Sequence, residues 1–164
     1  MTDSTITALA KAVNTQMSAH ATSPGYSQTV TILRSYNPIF KPEDAELDTA
    51  QAVIYSVGRA EERILDRQIH TLNEYQIGIQ IAKRITSSDQ TDTTEQDAMT
   101  LLVQEIYDSM KGYDFNKDDG DQLNTGEEAW YIGSENTPLF DPDMMINNSI
   151  FFSHLLLRYR VVRS

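Results

Sequence analysis

Residues 69–84, IHTLNEYQIGIQIAKR, alternate between two residue classes with a period of two, the pattern of a long β-strand. One face would carry Ile69, Thr71, Asn73, Tyr75, Ile77, Ile79 and Ile81; the other His70, Leu72, Glu74, Gln76, Gly78, Gln80, Ala82 and Arg84. Strand side chains point alternately to opposite faces, so the first set is predicted to be buried and most of the second solvated. At about 3.3 Å per residue such a strand reaches on the order of 50 Å. A compact chain of this length is only about 40 Å across. The strand is therefore expected to overrun its own domain, and an unpaired overhang invites pairing with another chain. Assembly is the first expectation.

The remaining segments predict one domain over residues 1–164, which would bury roughly 70% of its unfolded surface. Residues 4–19 carry Ile6, Leu9, Ala10, Val13 and Met17 at helical spacing, with Asp3 or Ser4 as cap, and SPG at 23–25 ends the helix. Thr29–Tyr36 reads as a strand that stops before Pro38. KPEDAELDT at 41–49 reads as a polar connector with at most one helical turn. Ala52–Val57 is a short strand ended by Gly58, and together with the long strand it suggests an antiparallel hairpin with a charged, projecting tip.

After a polar linker at 87–97, Thr94 and Asp97 suggest a capping box. The helix it opens carries Ala98, Leu101, Leu102, Ile106 and Met110 on one face, a stripe widened by Met99, Val103 and Tyr107 as for a helix packed flat on a sheet, and stops at Gly112. An acidic loop at 113–128, a strand at 129–133 and a second loop follow. The final segment, SIFFSHLLLRYRVVR at 149–163, is apolar on both faces from Ile150 to Leu157, which suits a central strand covered on both sides. The fold class is predicted as α+β, a mainly antiparallel sheet with two helices packed on one face.

Charge excludes some functions. The net charge is −11, and residues 86–148 hold 15 acids against 2 bases, a local net of −13. DNA-binding proteins cluster Lys and Arg to neutralise phosphates, and this chain has no such cluster. No apolar run approaches the ~18 residues needed to span a bilayer, and the first residues lack the basic and apolar regions of a secretory signal. The absence of cysteine excludes disulfides and thiolate metal sites.

Catalytic and metal signatures are weak. The loop DFNKDDGDQLNTGEE at 114–128 fits neither EF-hand register: started at Asp114 it places Asp119 where glycine is needed, and started at Asn116 it brings Gly120 one residue early. His20, His70 and His154 lie far apart and form no ligand pair. No nucleophile elbow, phosphate loop or dinucleotide fingerprint occurs. The expectation is a non-enzymatic protein with no catalytic, metal or cofactor site. The segment RAEERILDR is of another kind. Arg59, Glu61, Glu62, Arg63, Asp66 and Arg67 mix both signs, a pattern that in a subunit interface fixes register.

These pieces, in order, resemble the tail terminator (tail completion) family of long-tailed bacteriophages. The resemblance is carried by the N-terminal helix, RSYNPIF with its acidic connector, the strand AVIYSV and the charged stretch ending at Arg67. NEYQIGIQIAKR, the helix LLVQEIYDSM and the closing strand FFSHLLLRYRVVR complete it. It covers residues 4–163 as an overall pattern and not as one invariant motif, and the acidic insert from Tyr113 to Glu128 departs from it. The resemblance implies a virion protein of the neck, assembled in the host cytoplasm. It implies a homohexameric ring that binds the major tail tube protein and the head-side connector or stopper, stops tube growth, and lets DNA pass without specific binding. Two other functions fit the same residues: a head-side stopper of the neck, and, from a different class, an acidic soluble protein-binding module using its hairpin on a foreign sheet edge.

Overall fold

The computed structural model describes residues 2–62, 72–89, 91–115 and 123–163. It is an α+β fold: one five-stranded, mainly antiparallel sheet with two long helices on one face and a short helix at one end. Helix α1 spans Thr5–Thr22, and Ser4 caps it by accepting from the Thr7 amide. Strand β1 (Val30–Arg34) follows, then a single 3-10 turn at Ala45–Asp48. Strands β2 (Ala50–Glu62) and β3 (Leu72–Arg84) form the long hairpin. Helix α2 (Thr94–Met110), strand β4 (Glu127–Glu135), helix α3 (Pro142–Asn148) and strand β5 (Ile150–Arg163) complete the chain. The strand order is β1-β2-β3-β5-β4.

The long alternating segment is the middle strand. Within the described residues, β3 pairs with β2 from Leu72 to Ala82 and with β5 from Asn73 to Arg84, antiparallel on both sides. The overhang expected from its length does not arise there, because β2 and β5 are as long as β3 and run alongside it. A strand of about 43 Å is accommodated when its neighbours match it. The tip of the hairpin, with Ile69, His70 and Thr71, lies outside the described residues.

The face inferred to be buried is buried. Tyr75, Ile77, Ile79 and Ile81 lie under the helices, beside Ile54 of β2 and Leu155, Leu157 and Tyr159 of β5. Leu9, Val13 and Met17 of α1 and Met99, Leu102, Ile106 and Met110 of α2 close over them in one continuous cluster. Each buried aliphatic side chain contributes roughly 1.5–3 kcal/mol, which explains why a strict period of two in the strands and 3.6 in the helices was maintained.

Three expectations need correction, and one strand pairing is new. Strand β2 does not stop at Gly58; a bulge between Ser56 and Gly58 absorbs one extra residue and pairing continues to Glu62. Strand β1 pairs parallel to β2, Val30 opposite Ala50, so the chain must cross over the sheet between them. The N-cap of α2 is Thr93 and not Thr94; the Asp92 carboxylate accepts from the Thr94 amide, and the Thr93 hydroxyl donates to Asp97. The loop before β5 contains α3, opened by Asp141, whose carboxylate accepts from the amides of Asp143 and Met144, with Pro142 in the first turn.

The β1–β2 crossover decides what the second face looks like. Its 3-10 turn places Leu47 on that face against Ala82 and Ile150, with Phe40, Met144 and Phe152 around them. Arg84, at the end of β3, ties the crossover down: it pairs with Asp48 and donates to the carbonyls of Pro42 and Asp44 at 2.7 and 3.0 Å. One end of the face is thereby covered by the crossover and α3. The other end carries no layer built from the described residues.

Candidate interaction face of the sheet

The register identifies the residues of this uncovered area. Tyr55 and Ala60 come from β2, Glu74, Gln76, Gly78 and Gln80 from β3, His154, Leu156, Arg158 and Arg160 from β5, and Glu128, Trp130, Gly133 and Glu135 from β4. Most are half-buried, while Trp130 is 47% exposed and Ile132, at the β4 bulge, 37% exposed. An open antiparallel sheet face is ordinarily polar. Here aromatic, aliphatic and arginine side chains share it with three glutamates, Glu74, Glu128 and Glu135; aromatic residues and arginine are the types enriched in protein interfaces.

Two glycines let large side chains lie flat. Gly78 stands opposite Tyr55, and a Cβ at Gly78 would fall 2.4 Å from the tyrosine ring. Gly133 stands opposite Arg158, and a Cβ there would fall 2.8 Å from Nη2 of the guanidinium. Each larger residue occupies the space its neighbour leaves, and the result is a level surface.

Tyr55 is held across the sheet. Its hydroxyl is hydrogen-bonded to Nε2 of His154 at 2.5 Å, and the two rings tilt against each other at 5.7 Å. Burial raises the Tyr55 pKa, with a hydrogen bond to Gln80 opposing it, and burial lowers that of His154. Both shifts favour the neutral forms. Asn136 fixes the strand beneath by donating to the His154 carbonyl and to Ser153 Oγ.

Arg158 is the exception on this face. Gln76 and Gly133 stand opposite it on either side. Its Nε is buried without a hydrogen-bond partner among the described residues, and no carboxylate among them forms an ion pair with it. A guanidinium has five donors in a planar fork suited to a carboxylate. Arg160, two residues on, has Glu74 of β3 opposite on one side and Trp130 of β4 on the other.

The charged residues singled out in the sequence lie at the far end of the same hairpin. Arg59 is exposed near the end of β2, opposite Tyr75, and Glu61 and Glu62 close that strand opposite Asn73 and Leu72. Arg63, Asp66 and Arg67 lie outside the described residues. Most of the acidic loop, residues 116–122, does as well. Of the histidines, His20 ends α1 beside the Tyr26 ring, His154 sits on the open face, and His70 is outside the described residues. Among the described residues no three His, Asp or Glu side chains gather as a metal site, and no helix is long and apolar enough to cross a membrane.

The sequence reading missed Tyr55, Gly78, Trp130, Gly133, His154 and Arg158 as members of one surface. A partial signal was present. In LLLRYRVVR, Arg158 and Arg160 alternate with Tyr159 and Val161, so these two arginines fall on the face away from the helices. A second feature of this face is an apolar pocket of about 160 Å³ at its covered end, lined by Phe40, Leu47, Ala82, Met144, Ile150 and Phe152.

No family model matches the sequence, and no curated protein does. Solved structures do: 28 chains match. One of them is a chain from the virion of a native gene transfer agent particle, with a TM-score of 0.53 and 13% identity, the match covering 97% of this chain and 98% of that one. At that identity the likeness establishes a shared fold running from end to end.

Proposed function

We propose that this protein is a structural component of a phage-like virion. In this reading it forms a ring, most simply a homohexamer, at the head-proximal end of the tail tube, ends tube growth and joins the tail to the head connector. The observation that carries the reading is the end-to-end likeness to a chain of a gene transfer agent virion. A shared fold supports a function only when the surface agrees with it. Here the surface offers an uncovered sheet face with aromatic and arginine side chains and an exposed Arg59 near the end of β2, both suited to protein contacts.

The role is non-enzymatic. A tube adds identical rings through head-to-tail contacts that do not close along the axis. A ring whose lower side mimics one tube end, and whose upper side does not offer the other, stops growth by geometry. The hairpin from Ala52 to Arg84 is the proposed tube-facing or ring-closing surface, with Arg59, Glu61, Glu62, Arg63, Asp66 and Arg67 as its subunit contact; the major tail tube protein lies on one side of the ring and the connector or stopper on the other. The net charge of −11 fits a ring that lets DNA slide through its lumen without specific binding.

The test is a stop codon early in the gene, with particles examined by electron microscopy. Overlong free tails beside filled heads are the expected outcome. Normal-length tails beside empty, leaking heads would assign the protein to the head-side stopper. Normal infectious particles would exclude both and favour an acidic binding module acting outside the virion.

A further inference from the structure

We infer that the apolar pocket between the β1–β2 crossover and α3 binds another protein by taking in one benzene-sized apolar side chain carried on a basic segment. The site lies at the end of the sheet face away from Arg158, and it does not depend on the ring reading.

The pocket is built and held open by the fold. Leu47, Ala82 and Ile150 form its floor and are buried, while Phe40, Met144 and Phe152 stand half-buried around it. Ile39 also borders the pocket and is 74% exposed, so this side chain of the same molecule does not fill the opening. Each wall is tied down independently. On the crossover side, Arg84 donates to the carbonyls of Pro42 and Asp44, and Gln51 Nε2 donates to the Glu46 carbonyl at 2.7 Å. On the α3 side, the Asp141 amide donates to the Phe152 carbonyl at 2.8 Å, and the Asp141 carboxylate caps the helix. Tethered walls resist collapse into the gap, and a preformed pocket binds with little ordering cost.

Volume decides what enters. About 160 Å³ is well below the ~300 Å³ at which cofactor and metabolite pockets begin. An engineered apolar cavity of about 150 Å³ lined by Leu, Ile and Phe stays dry and takes up benzene. The same residue types line this one, so the group that fits is a phenyl ring or a branched aliphatic side chain. Water is a poor occupant. The polar side chain in the lining is Asp141, whose carboxylate already accepts from the Asp143 and Met144 amides.

Charge selects the carrier. The walls, residues 39–48 and 139–148, hold Glu43, Asp44, Glu46, Asp48, Asp141 and Asp143 against Lys41 alone. Arg84 on the adjoining strand is already paired with Asp48, and Lys83 beside it points to the helix side, where it donates to Gln28. Glu43, Glu46 and Asp143 are exposed. Arg158 lies six residues along β5 from Phe152, about 20 Å away, which is beyond the ~8 Å screening length at physiological salt. An acidic rim around an apolar anchor site is complementary to an apolar side chain flanked by Lys or Arg. The charges steer the encounter, and burial of the anchor supplies the affinity. A second copy of this chain, at a net charge of −11, is disfavoured by the same field.

The test uses the intact protein with isotope-labelled methionine methyls, of which Met144 reports the pocket. Benzene should shift that resonance saturably. A five-residue peptide with phenylalanine between two pairs of lysines should shift it too at low ionic strength, and should compete with benzene. Replacing the phenylalanine by alanine, or the lysines by glutamates, should weaken peptide binding on the order of tenfold or more. Ala82→Leu fills the floor and should abolish binding of both probes. Glu43→Lys combined with Glu46→Lys, at exposed positions, should remove the preference for lysine and leave benzene bound. That pair tests the charge independently if Ala82→Leu fails to fold.

A Met144 resonance that benzene does not move overturns the proposal. Benzene binding with no peptide binding at millimolar concentration overturns it in favour of a small apolar ligand. Equal binding of the lysine and glutamate peptides overturns the basic partner. Peptide binding that survives Ala82→Leu, in a variant folded by circular dichroism, overturns the pocket as its place. The tail reading stands or falls separately, on the stop-codon phenotype.

Discussion

At the scale of single residues, the sheet face is set by glycines whose importance is steric. Gly78→Ala would drive a Cβ to 2.4 Å from the Tyr55 ring, and the ring could escape only by leaving His154. Overpacking of this kind costs about 1–3 kcal/mol. Denaturant titration should show that loss, and the same substitution in a Tyr55→Ala background should cost much less, the excess being the coupling between the two sites. His154 gives a second test at this scale. Burial holds its pKa below the ordinary value of about 6.5, so the folded state disfavours the protonated ring. Between the folded and unfolded pKa values the unfolded chain binds more protons, and stability therefore rises with pH across that window. The contribution is complete above about pH 6.5 and is lost as pH falls through the lowered folded-state value. Melting temperature followed downward from pH 7 should show this decline, and His154→Gln should flatten that step.

At the scale of elements, local signals and pairing contributed differently. Helices α1 and α2 were legible because an apolar stripe at helical spacing has few alternatives. Helix α3 was legible in principle, since Asp141 followed by Pro142 is a strong start signal, but its seven residues are too few to show periodicity. Its cap is correspondingly important. Asp141→Ala removes the acceptor for two amides and should cost about 0.5–2 kcal/mol. Hydrogen exchange should then accelerate across residues 142–148, and Met144 and Phe152, which line the apolar pocket there, should become more accessible. Unchanged exchange would mean that packing against β5 alone holds the helix. The end of β2 was misplaced because Gly58 reads as a stop, whereas the chain uses a bulge at that point and continues.

At the scale of the whole molecule, the prediction concerns the separation of folding from assembly. Arg59 is exposed at the hairpin end. Arg59→Glu should alter unfolding free energy by no more than about 0.5 kcal/mol, as is usual for a surface position away from caps and buried networks. If that end meets charged groups of the tube, reversal brings like charges together and incorporation into particles should fall sharply. Thermal melting and particle incorporation measured on the same variant check this. A parallel loss in both would make Arg59 a residue of the fold and not of the contact.

The sequence by itself determined the α+β class, both long helices, the buried face of β3 and the concentration of acid after residue 85. Each follows from periodicity or composition, which local chain geometry and the burial of apolar groups translate directly into structure. The tertiary structure alone decided that β3 is central, that β1 runs parallel to β2, and that the crossover between them covers only one end of the open face. Those depend on which strands pair across long separations, a choice among arrangements that satisfy the same local pattern. The neighbours of Gly78 and Gly133 belong to the same class. In the sequence each is a break in an alternating run, and only cross-strand register shows that Tyr55 and Arg158 fill the space they leave.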